Sequence, residues 1–203
     1  MSDLMCAATL VVARHGDAAY VESRFSDEGG SLTAEGRSQA RALADLVSSR
    51  RVAHVWTSDT SRAVQTAEIV AARLSLGVTV TPALREVDIG GLRGQEFSID
   101  AIHAVTDRWF EGDLEARFAG GESGAEVVGR YRAVLEQIVD QHRGETVLVV
   151  SHQTAGGIAL PSLAQNVTPS YAEHHLLENG ASAELVADND TWHLTRWGDR
   201  QLG

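Results

Sequence analysis

The sequence predicts an α/β protein, a three-layer α/β/α sandwich with a mainly parallel central sheet and a small helical and loop cap insertion at about 88–121. Two observations carry this expectation. Short β-rich runs alternate along the chain with longer segments of helical periodicity, and two of the runs, Thr9–Ala13 and Thr146–Val150, have the length and unbroken apolar character of strands buried on both faces. At 203 residues and 43% hydrophobic, the chain is long enough for one domain spanning 1–203 with a substantial core. It contains no internal repeat and no low-complexity segment.

Each element follows from local signals. After the first strand, a polar loop through Ser23, Asp27, Gly29 and Gly30 leads to Thr33, an N-cap for a helix that turns Ala40, Leu43, Ala44 and Val47 inward. Ala53–Trp56 reads as a second strand, and the helix after it carries Ala63, Ala67, Val70, Ala71 and Leu74 on one face, with Arg62 in its first turn. A strand near Val78–Val80 is followed by Pro82 and a loop with Gly90, Gly91 and Gly94. The segment 95–121 is the least periodic and reads as short helices anchored by Trp109 and Phe110. Ser123 and Glu126 form a capping box for a long helix presenting Val127, Val128, Tyr131, Val134, Leu135, Ile138 and Val139. A short helix after His152 is expected to stop near Pro161. Leu185–Ala187 and Trp192–Thr195 are expected as strands joined by a turn at Asp188-Asn189-Asp190.

Composition excludes several functions. A formal charge of -11 repels nucleic acid and anionic membranes, and no apolar run approaches the roughly 20 residues needed to cross a bilayer. Cys6 is the single cysteine, and the N-terminus lacks a basic flank and cleavage pattern, so a cytoplasmic protein is expected. Oligomeric state is not written in the sequence; a homodimer is compatible with it.

The chemistry lies at the strand ends. Arg14-His15-Gly16, Ser58 through Arg62, and Ser151-His152 each fall just past a predicted strand, and parallel strands bring their carboxyl ends to one edge. Two arginines and two histidines gathered there make a cationic pocket against the acidic background, with the helix start after His152 adding N–H donors. Arginine's planar fork suits phosphate oxygens. A histidine between such groups can attack phosphorus through one ring nitrogen if the other donates to a fixed acceptor, here a carbonyl of the Gly16 loop.

These residues, with Leu32-Thr33, Gly36, Gln65-Thr66-Ala67, Leu84-Arg85-Glu86 and Gly120-Gly121-Glu122-Ser123, occur in the order of the histidine phosphatase superfamily. The chain resembles its phosphoglycerate-mutase-like branch from about Leu10 to Leu160. The resemblance implies a phosphatase acting on a small-molecule phosphate ester. His15 becomes transiently phosphorylated, Arg14, Arg62 and His152 hold the phosphoryl oxygens, Glu86 is the proton donor, and no metal or other cofactor is required. Gly16, Arg24 and Gln153 are candidate substrate-binding residues.

The pattern departs from its relatives in three places. An Asn usual after the first motif is missing, with Asp17, Ala18, Ala19, Tyr20 and Val21 in its region and Arg24 or Ser23 as substitutes. Asp17-Ala18 is similar to protein phosphohistidine phosphatases, which keeps that activity as an alternative. Asp88-Ile89 replaces an aromatic of the mutase motif, and Gln153-Thr154-Ala155 precedes Gly156-Gly157 where relatives have the glycine pair directly after the histidine. A non-catalytic phosphate-binding module is the competitor of a different class. A serine hydrolase at Ser151 lacks the Gly-x-Ser-x-Gly elbow. His54, His103, His142, His174, His175 and His193 read as structural or surface residues. Arg93, Arg108, Trp109 and Arg117 are the cap side chains expected to bear on substrate choice.

Overall fold

The computed structural model describes residues 7–20, 24–25, 30–188 and 191–203. The expected loop positions Ser23, Asp27 and Gly29, the substitute at Ser23, and Asn189-Asp190 of the tail turn lie outside these residues.

Seven strands, β1 (Ala8–Arg14), β2 (Val52–Thr57), β3 (Val78–Val80), β4 (Thr146–Ser151), β5 (Ser182–Asp188), β6 (Thr191–Trp197) and β7 (Arg200–Gln201), form one sheet in the order β3-β2-β4-β1-β5-β6-β7. The first four are mutually parallel, as expected. β5, β6 and β7 extend the sheet as an antiparallel run alongside β1. The two expected tail strands lie inside β5 and β6, and β7 adds a third.

Alternation along β1 shows why the sheet is covered on both faces. Val11 and Ala13 pack with Leu148 and Val150 against Leu43, Ala44, Val47, Ala63, Ala67 and Val70 of α1 (Ala34–Val47) and α2 (Ser61–Leu74). Leu10 and Val12 face the opposite layer with Val147 and Val149, against α4 (Gly124–Gln141) and α5 (Gln153–Leu163). The predicted caps hold: Thr33 Oγ1 accepts from the Gly36 N–H at 3.0 Å, and Ser123 and Glu126 cap reciprocally.

Two expectations are corrected. Helix α5 does not stop near Pro161 but continues to Leu163, closing with the Ala164 N–H on Leu160 O. An interior proline costs about 3 kcal/mol, whereas burying Ile158, Leu160 and Leu163 contributes about 1.5–3 kcal/mol each, so packing outweighs one broken turn near the helix end. The segment between β3 and α4 holds one 12-residue helix, α3 (Ile99–Phe110), with single 3-10 turns at Pro82–Leu84 and Gly90–Leu92, rather than several short helices. Trp109 is fully buried with its Nε1–H donating to Ala116 O at 2.7 Å, and Phe110 packs half-buried against the same core. A short helix α6 (Pro169–Glu173) is capped at its end by His174, and His175 follows directly after it.

Candidate active site

Adjacent parallel strands deliver the motif residues to one place. β1 and β4 are in register at Arg14 and Ser151, so His15 and His152 leave the same sheet edge, with ring centroids 5.2 Å apart. The His15 N–H donates to Ser151 O at 3.0 Å and the Ser58 N–H to Val150 O at 3.1 Å, which fixes the ends of three neighbouring strands relative to one another.

His15 is buried, and its Nδ1 lies 2.7 Å from Gly16 O, the kind of acceptor the sequence calls for. A carbonyl brings no hydrogen, so Nδ1 carries the proton and Nε2 presents a lone pair. Arg62 Nε–H donates to that Nε2 at 2.9 Å. Burial, reinforced by the Arg62 and Arg14 charges, pushes the His15 pKa down to about 3, so the ring is neutral at physiological pH. His152 is held in the complementary way: Arg62 Nη2 donates to its Nδ1 at 3.2 Å, and its Nε2–H reaches Ser58 Oγ at 2.9 Å. Burial and the Arg62 charge hold its pKa well below the usual histidine range.

Arg62 sits in the first turn of α2 yet is buried, a costly place for a cation at the positive end of a helix. Its Nη1, like Arg14 Nε, is buried without a hydrogen-bond partner among the described residues, and both arginines line the cleft beside His15. Arg14 is anchored by Nη1–H donating to Leu177 O at 2.9 Å. Two unpaired guanidinium N–H groups next to an imidazole lone pair suit a tetrahedral oxyanion.

Gly16 occupies a different role from the expected one of substrate contact. Its N–H donates to Thr66 Oγ1 and its carbonyl holds His15, so both backbone groups are committed. A Cβ at Gly16 would stand 2.4 Å from Gly36 O, and one at Gly36 would stand 1.9 Å from Asp17 O, which explains glycine at both positions where the loop crosses α1. Asn179, which sequence reasoning missed, donates from Nδ2 to His15 O at 3.1 Å. It lies 164 residues from the His15 carbonyl it holds, so no local pattern announces it.

Glu86 Oε1 and Oε2 accept from the Ala155 and Thr154 N–H groups at 2.7 and 3.1 Å, capping α5, and Oε1 also accepts from Val87 N–H. The Gln153 N–H is the first-turn donor of α5 that Glu86 leaves untaken, and Gln153 lines the cleft with Glu86. The loop bearing Glu86 is clasped by Arg130 of α4, whose guanidinium donates to Ala83 O, Arg85 O and Glu86 O and pairs with Glu122 at 2.7 Å. Glu122 in turn accepts from Asp88 N–H at 2.9 Å, while Tyr131 Oη bonds Leu84 O and Ser151 Oγ.

The cleft has a volume of about 1400 Å³. Arg24 lines it, but its Nη1–H is spent on Gly94 O at 2.9 Å and it makes no bond to the histidine cluster. Arg93 also lines the cleft, whereas Arg108 and Arg117 pair with Asp113 and Glu126, and Trp109 is core. Among the described residues no three His, Cys, Asp or Glu side chains group to hold a metal ion, and no helix is long and apolar enough to cross a membrane.

Fold and site together define an α/β protein with an arginine-lined pocket built around a neutral histidine. The family model of the histidine phosphatase superfamily (branch 1) matches residues 10–200, and the chain belongs to that superfamily. It is 33% identical over 195 residues to a probable phosphoglycerate mutase GpmB of Serratia proteamaculans, covering 92% of this chain and 88% of that one. It is also 33% identical to phosphoglycerate mutase-like protein 4 of Arabidopsis thaliana, covering 95% and 85%. Among solved structures, a mycobacterial glucosyl-3-phosphoglycerate phosphatase superposes with a TM-score of 0.79 at 26% identity, covering 96% of this chain and all of that one. Membership and these neighbours support an activity of phosphatase or mutase type.

Proposed function

We propose that the chain is a phosphomonoesterase that hydrolyses a small phosphorylated metabolite through a phosphohistidine on His15. The observation that carries this reading is the Nε2 lone pair of a neutral His15 beside the unpaired N–H groups of Arg14 and Arg62. The phosphoryl group sits against these donors, and His152, bonded to Arg62 and Ser58, holds the Arg62 guanidinium in place behind it. Nε2 attacks phosphorus as the P–O bond to the leaving alcohol breaks, and Glu86, on the wall of the same cleft, gives that oxygen its proton. Glu86 then takes a proton from water, whose oxygen attacks phosphorus; the P–N bond breaks and inorganic phosphate leaves. Gln153 N–H serves the phosphoryl oxygens, and Arg24 stands further out. The segment 88–121 acts as the cap over the cleft, and the protein works as a soluble cytoplasmic enzyme without metal.

The names of the two relatives favour a mutase as the second reading, in which the phosphohistidine returns its group to an alcohol instead of water. Asp88-Ile89 in place of the mutase aromatic supports water as acceptor. Rapid quench into alkaline detergent with a phosphate-labelled ester is expected to trap acid-labile label on the wild type and none on His15→Ala, with inorganic phosphate as the released product. Turnover by His15→Ala comparable to wild type would overturn the reading, and label recovered in a second ester would make the protein a mutase.

A further inference from the structure

We propose that the leaving-group end of the cleft is built for an uncharged apolar alcohol, aromatic or branched, so that the substrate class is the phosphate monoester of such an alcohol. This rests on the phosphatase reading above. The first observation is where exposed apolar surface lies. Of the six large apolar side chains left exposed among the described residues, Tyr20, Phe97 and Ile99 all line this one cleft. Phe97 is 57% exposed with its ring centroid 5.0 Å from that of Phe25, and Ile102 and Phe118 continue the wall. Apolar side chains left in water together, beside a reaction centre, mark a surface that a ligand covers.

The second observation is independent and concerns charge. Beyond the phosphoryl end, the arginines of the cleft already hold acceptors of the protein's own. Arg85 is clasped by both oxygens of Asp59 at 2.6 and 2.7 Å, Arg93 pairs with Asp88 at 2.5 Å, Arg130 pairs with Glu122, and Arg24 holds Gly94 O beside Glu96. At Arg85, Arg93 and Arg130 a second anion on the substrate, such as a carboxylate, would compete with the carboxylates already held there, and at Arg24 it would lie beside Glu96. Within the cleft, the unpaired buried guanidinium nitrogens among the described residues are those of Arg14 and Arg62 beside His15, which the phosphoryl group itself takes up. The cleft therefore offers one anionic subsite and an apolar wall.

The test compares 2-phenylethyl phosphate with 3-phosphoglycerate, whose leaving groups are both alkoxides, so a difference reports binding rather than bond strength. Wild type is expected to prefer the phenylethyl ester by at least about ten-fold in kcat/KM, because a methylene-sized change in an apolar pocket already discriminates roughly 10- to 200-fold. Phe97→Ser, a change at an exposed position, is expected to narrow that ratio several-fold. A ratio of one or below, or a ratio unmoved by Phe97→Ser, would overturn the inference. Alkaline-quench trapping on His15 separates the two levels: phosphoenzyme formed with 3-phosphoglycerate preferred defeats the apolar leaving group and leaves the phosphatase standing. No phosphoenzyme from any ester defeats both.

Discussion

A histidine kept neutral by burial and by two neighbouring guanidinium groups suits the proposed attack on phosphorus, since its Nε2 has no proton to lose first, and it also makes folding sensitive to acid. The folded ring of His15 titrates near 3, whereas an unfolded histidine titrates near 6.5. As pH falls below 6.5 the unfolded chain gains a proton that the folded chain does not, so stability is lost on acidification through the window from 6.5 down to 3. His152 is shifted in the same direction and adds to the loss. At pH 5 the His15 ring is expected to cost about 2 kcal/mol relative to pH 7.5, and His152 adds a loss of the same sign. Urea unfolding at the two pH values checks this: His15→Asn should lose about 2 kcal/mol less than wild type, and equal losses would show that the ring does not titrate low. The residues that do this were legible because strand, motif and chain order agree on them. Asn179 was not, and although Gly16, Gly36 and Thr66 stand in the motifs, their contacts were not readable, since each is made only when distant segments fold together.

Among the elements, the helix α4 does more than fill the core. Its Arg130 ties three carbonyls of the 83–86 stretch to Glu122, and so fixes where the Glu86 carboxyl stands. Arg130→Leu is expected to slow hydrolysis of alkyl phosphates, which need their oxygen protonated, by about 100-fold, and to slow aryl phosphates much less. Equal losses on both would indicate general destabilisation instead. The capping box and apolar spacing of this helix were readable in full, because both are local patterns. Its clasp on the loop was not, since an arginine on a helix gives no sign of which carbonyls it will meet. Pro161 misled for a related reason: local propensity marks a stop, and the buried side chains on either side of it override that mark.

At the scale of the whole molecule, the segment between β3 and α4 is packed into the main core rather than laid upon it. Trp109 and Phe118, 5.6 Å apart edge to face, share one apolar cluster with Tyr131, Leu135 and Ile158. Trp109→Ala is therefore expected to cost about 3–5 kcal/mol of global stability, with circular dichroism and fluorescence melting together. Two separate transitions would show a segment that unfolds by itself. The layered architecture was legible because alternation and apolar strand runs state it directly; the weak periodicity of 95–121 hid a full helix whose anchor is a single aromatic. The sheet finishes with only three residues in β3 on one flank and two in β7 on the other. Flanks so brief give a neighbouring molecule almost no ladder to extend, which guards against strand-by-strand polymerisation. Helices and loops meeting across a symmetry axis are the surfaces better suited to self-association.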